Sequence, residues 1–217
     1  MIFSIFAGAV SGDEVLPDDS TFNNDLPDIS PLTGSEGSAG GSRSPTKIAF
    51  YSDYMSISDT SEDGLSYYAD ALRSQGYSVE QINAPIASSK LSGYDALLII
   101  GLTGYLSSDE KSAIEDFVEN QDKGLLLSGG SSSALNDLAQ RFTGGSMEWF
   151  GSHIVCDPTD YEVYPKWVKI QTFYDHPITE NLNEIIMCKG TNIPAAWAYG
   201  GIIGCAYSDK DSWLDED

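Results

Sequence analysis

Four short segments along the middle of the chain each have the length of one β-strand; the second alternates in polarity and the other three are apolar runs. They are Thr46–Ser52 (TKIAFYS), Tyr77–Ile82 (YSVEQI), Asp95–Ile100 (DALLII) and Gly124–Ser128 (GLLLS). The last two are continuously apolar, which is typical of strands covered on both faces. This pattern indicates a parallel sheet with an element packed on each side.

Amphipathic segments lie between these runs and predict helices. The first has apolar residues at helical spacing, with Asp59–Ser61 as possible caps before it and Gly76 as a stop after it. The second begins at a capping box, Ser107–Glu110, and a third follows the Gly/Ser turn with Ser133 as its predicted N-cap. Strands alternating with helices predict right-handed βαβ units, and so a three-layer α/β/α sandwich with a mostly parallel sheet.

The pattern weakens after Gly144. Trp167–Phe173 alternates as a strand does, and Trp197–Tyr207 predicts another strand around a glycine pair. We assign 46–217 to one α/β domain that ends in an acidic C-terminal tail.

The first 45 residues have a different character. Residues 1–12 begin with an apolar run and small residues, which is typical of the remnant of an export signal, although a merely hydrophobic start has the same pattern. Residues 13–45 are rich in Asp, Ser, Gly and Pro and predict a disordered acidic linker. This order predicts an extracytoplasmic or secreted protein associated with a cell surface, and the chain has no apolar run long enough to be a transmembrane segment.

The chain is strongly acidic. Its 217 residues include 33 Asp and Glu against 11 Lys and Arg, which gives a net charge of −22. Nucleic acid is therefore excluded as an expected partner, because phosphates would be repelled over most of the surface. The remaining partners are carbohydrate or a surface protein, and the oligomeric state is left open.

Several segments together resemble a known superfamily. They are Gln75–Tyr77, Gly93–Ile100, Leu106–Glu110, Lys123–Leu127 and Tyr174–Thr179, which ends in His-Pro-Ile-Thr. Their order is similar to that of the class I glutamine amidotransferase-like superfamily, which has a flavodoxin-like sheet. The most similar branches are the trehalose-utilisation (ThuA-like) proteins, the N-terminal domain of an intraflagellar transport protein, and prokaryotic surface domains.

The resemblance implies a nucleophile in the turn after the strand Gly124–Ser128. That turn has no cysteine here, so we expect neither glutamine hydrolysis nor a cofactor, but a catalytically degenerate binding or assembly domain. The resemblance also implies a ligand crevice at the carboxyl ends of the strands. Its predicted lining is Ser52, Asp53, Gly101, Ser128, Gly129 and His176.

Two other functions remain open. In a carbohydrate-active or serine-type hydrolase, Ser128 or Ser131 would be the nucleophile with His176 as base, although each serine has only half of a G-x-S-x-G elbow. The same turn also suits a tight strand-to-helix connection. The third possibility is a structural surface-layer module without a small ligand. The run Met147–Phe150, which contains two aromatic residues, suits either a sugar surface or the cover of a sheet edge, as do Tyr161, Tyr164 and Trp167.

Weaker signals come from the end of the chain. Asp209, Asp211 and Asp215 are spaced as oxygen ligands of calcium can be, but Trp213 interrupts the loop pattern, so a solvated acidic terminus is the simpler interpretation. The three cysteines, Cys156, Cys188 and Cys205, fit no zinc pattern. They are either buried small side chains or include one disulfide pair.

Overall fold

The structure is a computed structural model of the chain. It describes residues 2–3, 7–8, 46–61, 64–129, 132–142, 154–173, 179–180, 182–188, 190, 206–209 and 211–215. The predicted linker 13–45 lies outside the described residues. Within the described parts of the chain, no helix is both long and apolar enough to cross a bilayer.

A parallel sheet forms the centre of the fold. Its four central strands are β3 (Lys47–Tyr51), β4 (Ser78–Gln81), β5 (Ala96–Ile100) and β6 (Gly124–Ser128). They lie side by side in the order β4-β3-β5-β6, and every neighbouring pair is parallel. This order is the one found in flavodoxin-like folds. All four segments predicted as strands are therefore strands, and the predicted fold class is confirmed.

Helices cover both faces of this sheet, as the continuous apolar strands require. They are α1 (Ser66–Ser74), α2 (Ser88–Leu91), α3 (Ser108–Glu115), which continues as a π-helical turn (Asp116–Asn120), and α4 (Ser133–Ala139), which continues as a 3-10 turn (Gln140–Phe142). Ile114 and Phe117 pack with α4 in one buried cluster, while Ala69 packs with Phe50 and Leu98 in a second. Each fully buried large apolar side chain stabilises the fold by about 1.5–3 kcal/mol.

The helix ends differ in part from prediction. Ser107 and Glu110 form the expected capping box, and Gly76 has the positive φ of a helix stop, +90°. The caps expected at Asp59–Ser61 are wrong, because α1 begins later and Leu65 precedes it without a side-chain cap. The cap expected at Ser133 is also wrong by one position, since the neighbouring Ser132 caps α4.

The C-terminal part consists of short strands. They are β7 (Ile154–Cys156), β8 (Trp167–Ile170), β9 (Thr172–Phe173), β10 (Ile185–Cys188), β11 (Ala206–Tyr207) and β12 (Trp213–Asp215). The pairs β8–β10, β9–β11 and β7–β12 are antiparallel. The single strand predicted at Trp167–Phe173 is interrupted at Gln171, because β8 and β9 pair with different strands. Residues 197–205 of the other predicted strand lie outside the described residues.

Two short N-terminal strands pair one with the central sheet and one with a C-terminal strand. β1 (Ile2–Phe3) lies parallel to β6, and β2 (Ala7–Gly8) lies parallel to β11. The interpretation of residues 1–12 as a signal remnant stays a prediction, since this pairing says nothing about export.

Candidate functional site

The carboxyl ends of β3 and β5 meet at the point where the strand order reverses. From β3 the chain continues to one side, into β4, and then returns to the other side as β5. In open α/β sheets, ligands bind in the crevice outside the strand ends at such a switch point. The loop after β3 and the loop after β5 form the two walls of this crevice.

Asp53 ties these two loops together. Its Oδ2 accepts hydrogen bonds from the backbone N–H of Thr103 (2.7 Å), the N–H of Gly104 (2.8 Å) and the Thr103 hydroxyl (3.0 Å). Burial alone would raise the pKa of this carboxyl group, but the bonds from Gly104 and Thr103 outweigh burial and lower it. Asp53 is therefore ionised at neutral pH, and its oxygens are engaged within the protein.

Tyr51 completes this hydrogen-bond network. Its hydroxyl donates to Asp53 Oδ1 over 3.0 Å. Burial, the hydrogen bond to Asp53, and the charges of Asp53 and Glu110 raise the pKa of Tyr51 to about 12. The phenol therefore keeps its proton at neutral pH and is not a base.

Ser52 and Gly101 have local structural roles. The Ser52 hydroxyl accepts a hydrogen bond from the N–H of Met55 (3.1 Å) and so holds the turn after β3. Gly101 has φ +69°, and a Cβ built there would come within 2.6 Å of the Tyr54 hydroxyl oxygen and 2.9 Å of its ring. The Tyr54 side chain thus lies over the start of the loop after β5, where a ligand would otherwise enter.

The turn after β6 contains the predicted nucleophiles. Ser128 is exposed at the end of β6, its carbonyl accepts the N–H of Gly101 (2.8 Å), and its hydroxyl has no hydrogen-bond partner among the described residues. A Cβ on Gly129 would come within 2.6 Å of Leu135, so this position needs glycine for packing of α4. Ser131 and His176 lie outside the described residues, so their pairing with Ser128 stays a prediction.

Ser132 is a structural residue that the sequence did not single out. Its hydroxyl accepts the N–H of Leu135 (3.2 Å) and donates to the carbonyl of Leu102 (2.7 Å). It therefore caps α4 and fixes that helix to the loop after β5.

A cavity of about 300 Å³ opens beside these strand ends. Its described lining is Leu65, Tyr68, Ile100, Leu126, Leu127 and Ser128. The walls are mostly apolar, and the described polar groups are the hydroxyls of Tyr68 and Ser128. Such a lining suits packing or an uncharged group rather than an anion.

A cluster of carboxylates lies in the C-terminal part of the chain. Oxygens of Asp157, Asp160 and Asp209 all lie within 4.8 Å of one another, a spacing that a cation could bridge. Of the calcium ligands suggested by the sequence, only Asp209 belongs to this group. Asp211 accepts the Thr159 hydroxyl (3.1 Å), and Asp215 forms an ion pair with Lys166.

Several carboxylate oxygens of this cluster already accept hydrogen bonds within the protein. Asp157 is buried, and it accepts the N–H groups of Thr159 (2.8 Å) and Asp160 (2.7 Å) and the hydroxyl of Ser212 (2.8 Å). Burial, together with hydrogen bonds and the charges of neighbouring carboxylates, raises the pKa of Asp209 to about 6. Burial would raise the pKa of Asp157, but hydrogen bonds from the N–H groups of Asp160 and Thr159 outweigh burial and lower that pKa, so in mildly acidic solution the proton of this pair resides on Asp209.

The structure describes only some of the remaining candidates, the aromatic residues and the cysteines. Tyr164 and Trp167 pack against each other with ring centroids 5.4 Å apart and a tilt of 45°, while Met147–Phe150 lie outside the described residues. Cys156 is a buried free thiol. Burial, with the charge of Asp215, raises its pKa, so it is not an activated nucleophile.

Comparisons with known proteins support the fold only. No protein-family model and no curated protein matches the sequence. Among solved structures, the N-terminal domain of mmIFT52 superposes with a TM-score of 0.54 at 14% identity, over 69% of each chain. A GMP synthase-like protein from Thermoplasma acidophilum gives 0.39 at 16% identity, over 70% of each chain.

A further match is a ThuA-like protein from Bacteroides uniformis, with a TM-score of 0.38 at 14% identity, over 68% of this chain and 60% of that one. This score and that of the Thermoplasma protein are too low to carry an argument. The chain therefore has a flavodoxin-like α/β fold, similar to that of the mmIFT52 N-terminal domain.

Proposed function

We propose that this protein is a catalytically degenerate recognition domain that binds a partner at the carboxyl edge of its parallel sheet. The observation that carries the proposal is the use of Asp53. Oδ2 of Asp53 accepts three hydrogen bonds from the opposite loop and Oδ1 accepts the Tyr51 hydroxyl, so both oxygens serve contacts within the protein. The group best placed for chemistry at the switch point instead holds the two loops together.

The turn after β6 supports the same proposal. A serine hydroxyl is a weak nucleophile until a base takes its proton. The turn contains no cysteine, and the base predicted for Ser128, His176, lies outside the described residues, so the experiment below tests this pair. Recognition at a cell surface would follow from the N-terminal sequence, and this localisation is part of the proposal rather than an observation.

The rival is a serine-type hydrolase, and a fluorophosphonate probe separates the two. We expect no adduct on the full-length protein by intact-mass measurement, and the same result for Ser128→Ala, Ser131→Ala and His176→Ala. Ser107→Ala is the matched control for a serine that caps a helix. An adduct that disappears in one of the two serine variants of the turn and in His176→Ala would make this protein an enzyme.

A further inference from the structure

Exposed tyrosines are concentrated at the carboxyl edge of the sheet. Tyr54 follows β3, Tyr105 follows β5, and Tyr67 lies in the first turn of α1. They are 62%, 68% and 78% exposed, respectively. Tyr68 continues this surface into the cavity, where it lies near Ile100 and Ser128. We call these four tyrosines the tyrosine rim.

The contacts of the switch point hold part of this surface in place. Asp53 joins the loop that carries Tyr54 to the loop that carries Tyr105, and the ring of Tyr54 lies over Gly101. Tyr68 packs edge-on against Phe50, with ring centroids 5.6 Å apart. Tyrosines that are fixed in place are typical of protein contact surfaces, because a tyrosine side chain offers a large area with few rotatable bonds.

The two loops that flank the rim carry charge of one sign. Residues 52–65 and 101–107 contain four acidic residues and no Lys, Arg or His, and Asp109 and Glu110 follow in the first turn of α3. Asp59 and Asp109 are exposed. A hydrogen bond from the N–H of Ser61 lowers the pKa of Asp59, so that carboxylate is charged at neutral pH.

We propose that the tyrosine rim is a docking surface for an arginine-rich segment of a partner protein. Guanidinium groups stack on tyrosine faces and bind carboxylates through paired hydrogen bonds, and lysine does both less well. The net charge of −22 draws such a segment toward the protein. This proposal rests on the proposed function and specifies the chemistry of the partner.

A neutral oligosaccharide is the competing occupant. It would also stack on tyrosines, but it would gain nothing from the acidic loops, and its binding would not depend on salt. The one-sided charge of the two loops therefore favours the cationic peptide.

The test uses the full chain and fluorescent deca-arginine and deca-lysine peptides in 0.15 M NaCl. We expect deca-arginine to bind more tightly than deca-lysine. The variant Tyr67→Ser/Tyr105→Ser should bind deca-arginine about five- to thirtyfold more weakly, the loss expected for two exposed cation–π contacts. Tyr77→Ser, an exposed tyrosine at the opposite edge of the sheet, is the matched control and should bind as the wild type does.

Melting temperatures show whether each variant is folded. Equal binding of the two peptides, or unchanged deca-arginine binding by the folded double variant, would overturn the proposal, as would cellohexaose competing for the same tyrosines. The two proposals can fail separately, because a probe adduct on Ser128 would contradict the non-catalytic function without changing the peptide result.

Discussion

Replacing Asp53 by alanine removes the side chain that ties the loop after β3 to the loop after β5. Four hydrogen bonds are lost, three at Oδ2 from Thr103 and Gly104 and one at Oδ1 from Tyr51. A buried bond to a charged acceptor contributes about 1.5–3 kcal/mol, but the groups freed here regain water. About 0.5–1 kcal/mol for each bond gives a loss of about 2–4 kcal/mol in the free energy of unfolding.

Thermal unfolding measures this loss directly. For a domain of this size, 1 kcal/mol corresponds to about 2–4 °C, so Asp53→Ala should lower Tm by about 4–16 °C. The matched control is Asp70→Ala, which breaks only an exposed ion pair with Arg73 (2.8 Å) and should cost about 0.5 kcal/mol or less. An Asp53→Ala protein that melts no lower than Asp70→Ala would refute the structural role of Asp53.

The pH dependence of Tm tests the structural role of Asp53 independently. The pKa of Asp53 is lower in the folded protein than its ordinary value of 3.8. The stability that Asp53 contributes is therefore present above pH 3.8 and is lost as the pH falls through the folded pKa. The Tm difference between wild type and Asp53→Ala should narrow in that acidic range, and a difference that widens there would contradict the cited hydrogen bonds.

Two further predictions concern a glycine and a carboxyl group. Gly101 (φ +69°) and Gly93 (φ +90°) both need a conformation that costs other residues about 1–2 kcal/mol, so either change to alanine should lower Tm by about 2–8 °C. Only Gly101→Ala should shift the ring resonances of Tyr54, because only that Cβ meets the ring, and unchanged resonances would contradict the contact. The folded pKa of Asp209, about 6, exceeds the ordinary 3.8, so wild-type stability should fall as the pH rises between these values. The side chain of Asp209→Asn cannot ionise, so this variant should have a higher Tm than wild type at pH 7.5 in EDTA. At pH 4.5, where Asp209 is protonated in the wild type, the Tm of the variant should not be higher. A lower Tm at both pH values would mean that the ionised carboxylate is favourable.

The central sheet could be predicted from sequence because burial on two faces demands uninterrupted apolar strands. Leu97–Ile99 and Leu125–Leu127 show that demand directly in the chain. The helix cap at Asp59 could not be predicted correctly, because its side chain accepts the nearby N–H of Ser61 over 2.9 Å and forms a local turn instead. The break at Gln171 depends on which strands pair with β8 and β9, and alternation along one strand carries no such information.

For the candidate site, the sequence predicts only the edge of the sheet at which it lies. Parallel strands bring their carboxyl ends together, which places Asp53, Gly101 and Ser128 at one edge of the sheet, while their role in binding stays a prediction. Backbone N–H groups across the crevice engage Asp53. This contact depends on the conformation of a loop 50 residues later in the chain, which the sequence pattern does not reveal. The raised pKa of Asp209 likewise depends on Asp157 in a distant segment, and spacing along the sequence cannot reveal it.

Amide hydrogen exchange at Thr103 and Gly104 tests most directly whether the walls of the crevice are tied together. Both residues are exposed, so without Asp53 their amides would exchange almost as freely as in an unfolded chain. A tie worth about 2–4 kcal/mol predicts exchange about 30- to 800-fold slower than that, with the protection lost in Asp53→Ala. Exchange of these two amides at the unprotected rate in the wild-type protein would show an open crevice and contradict the account.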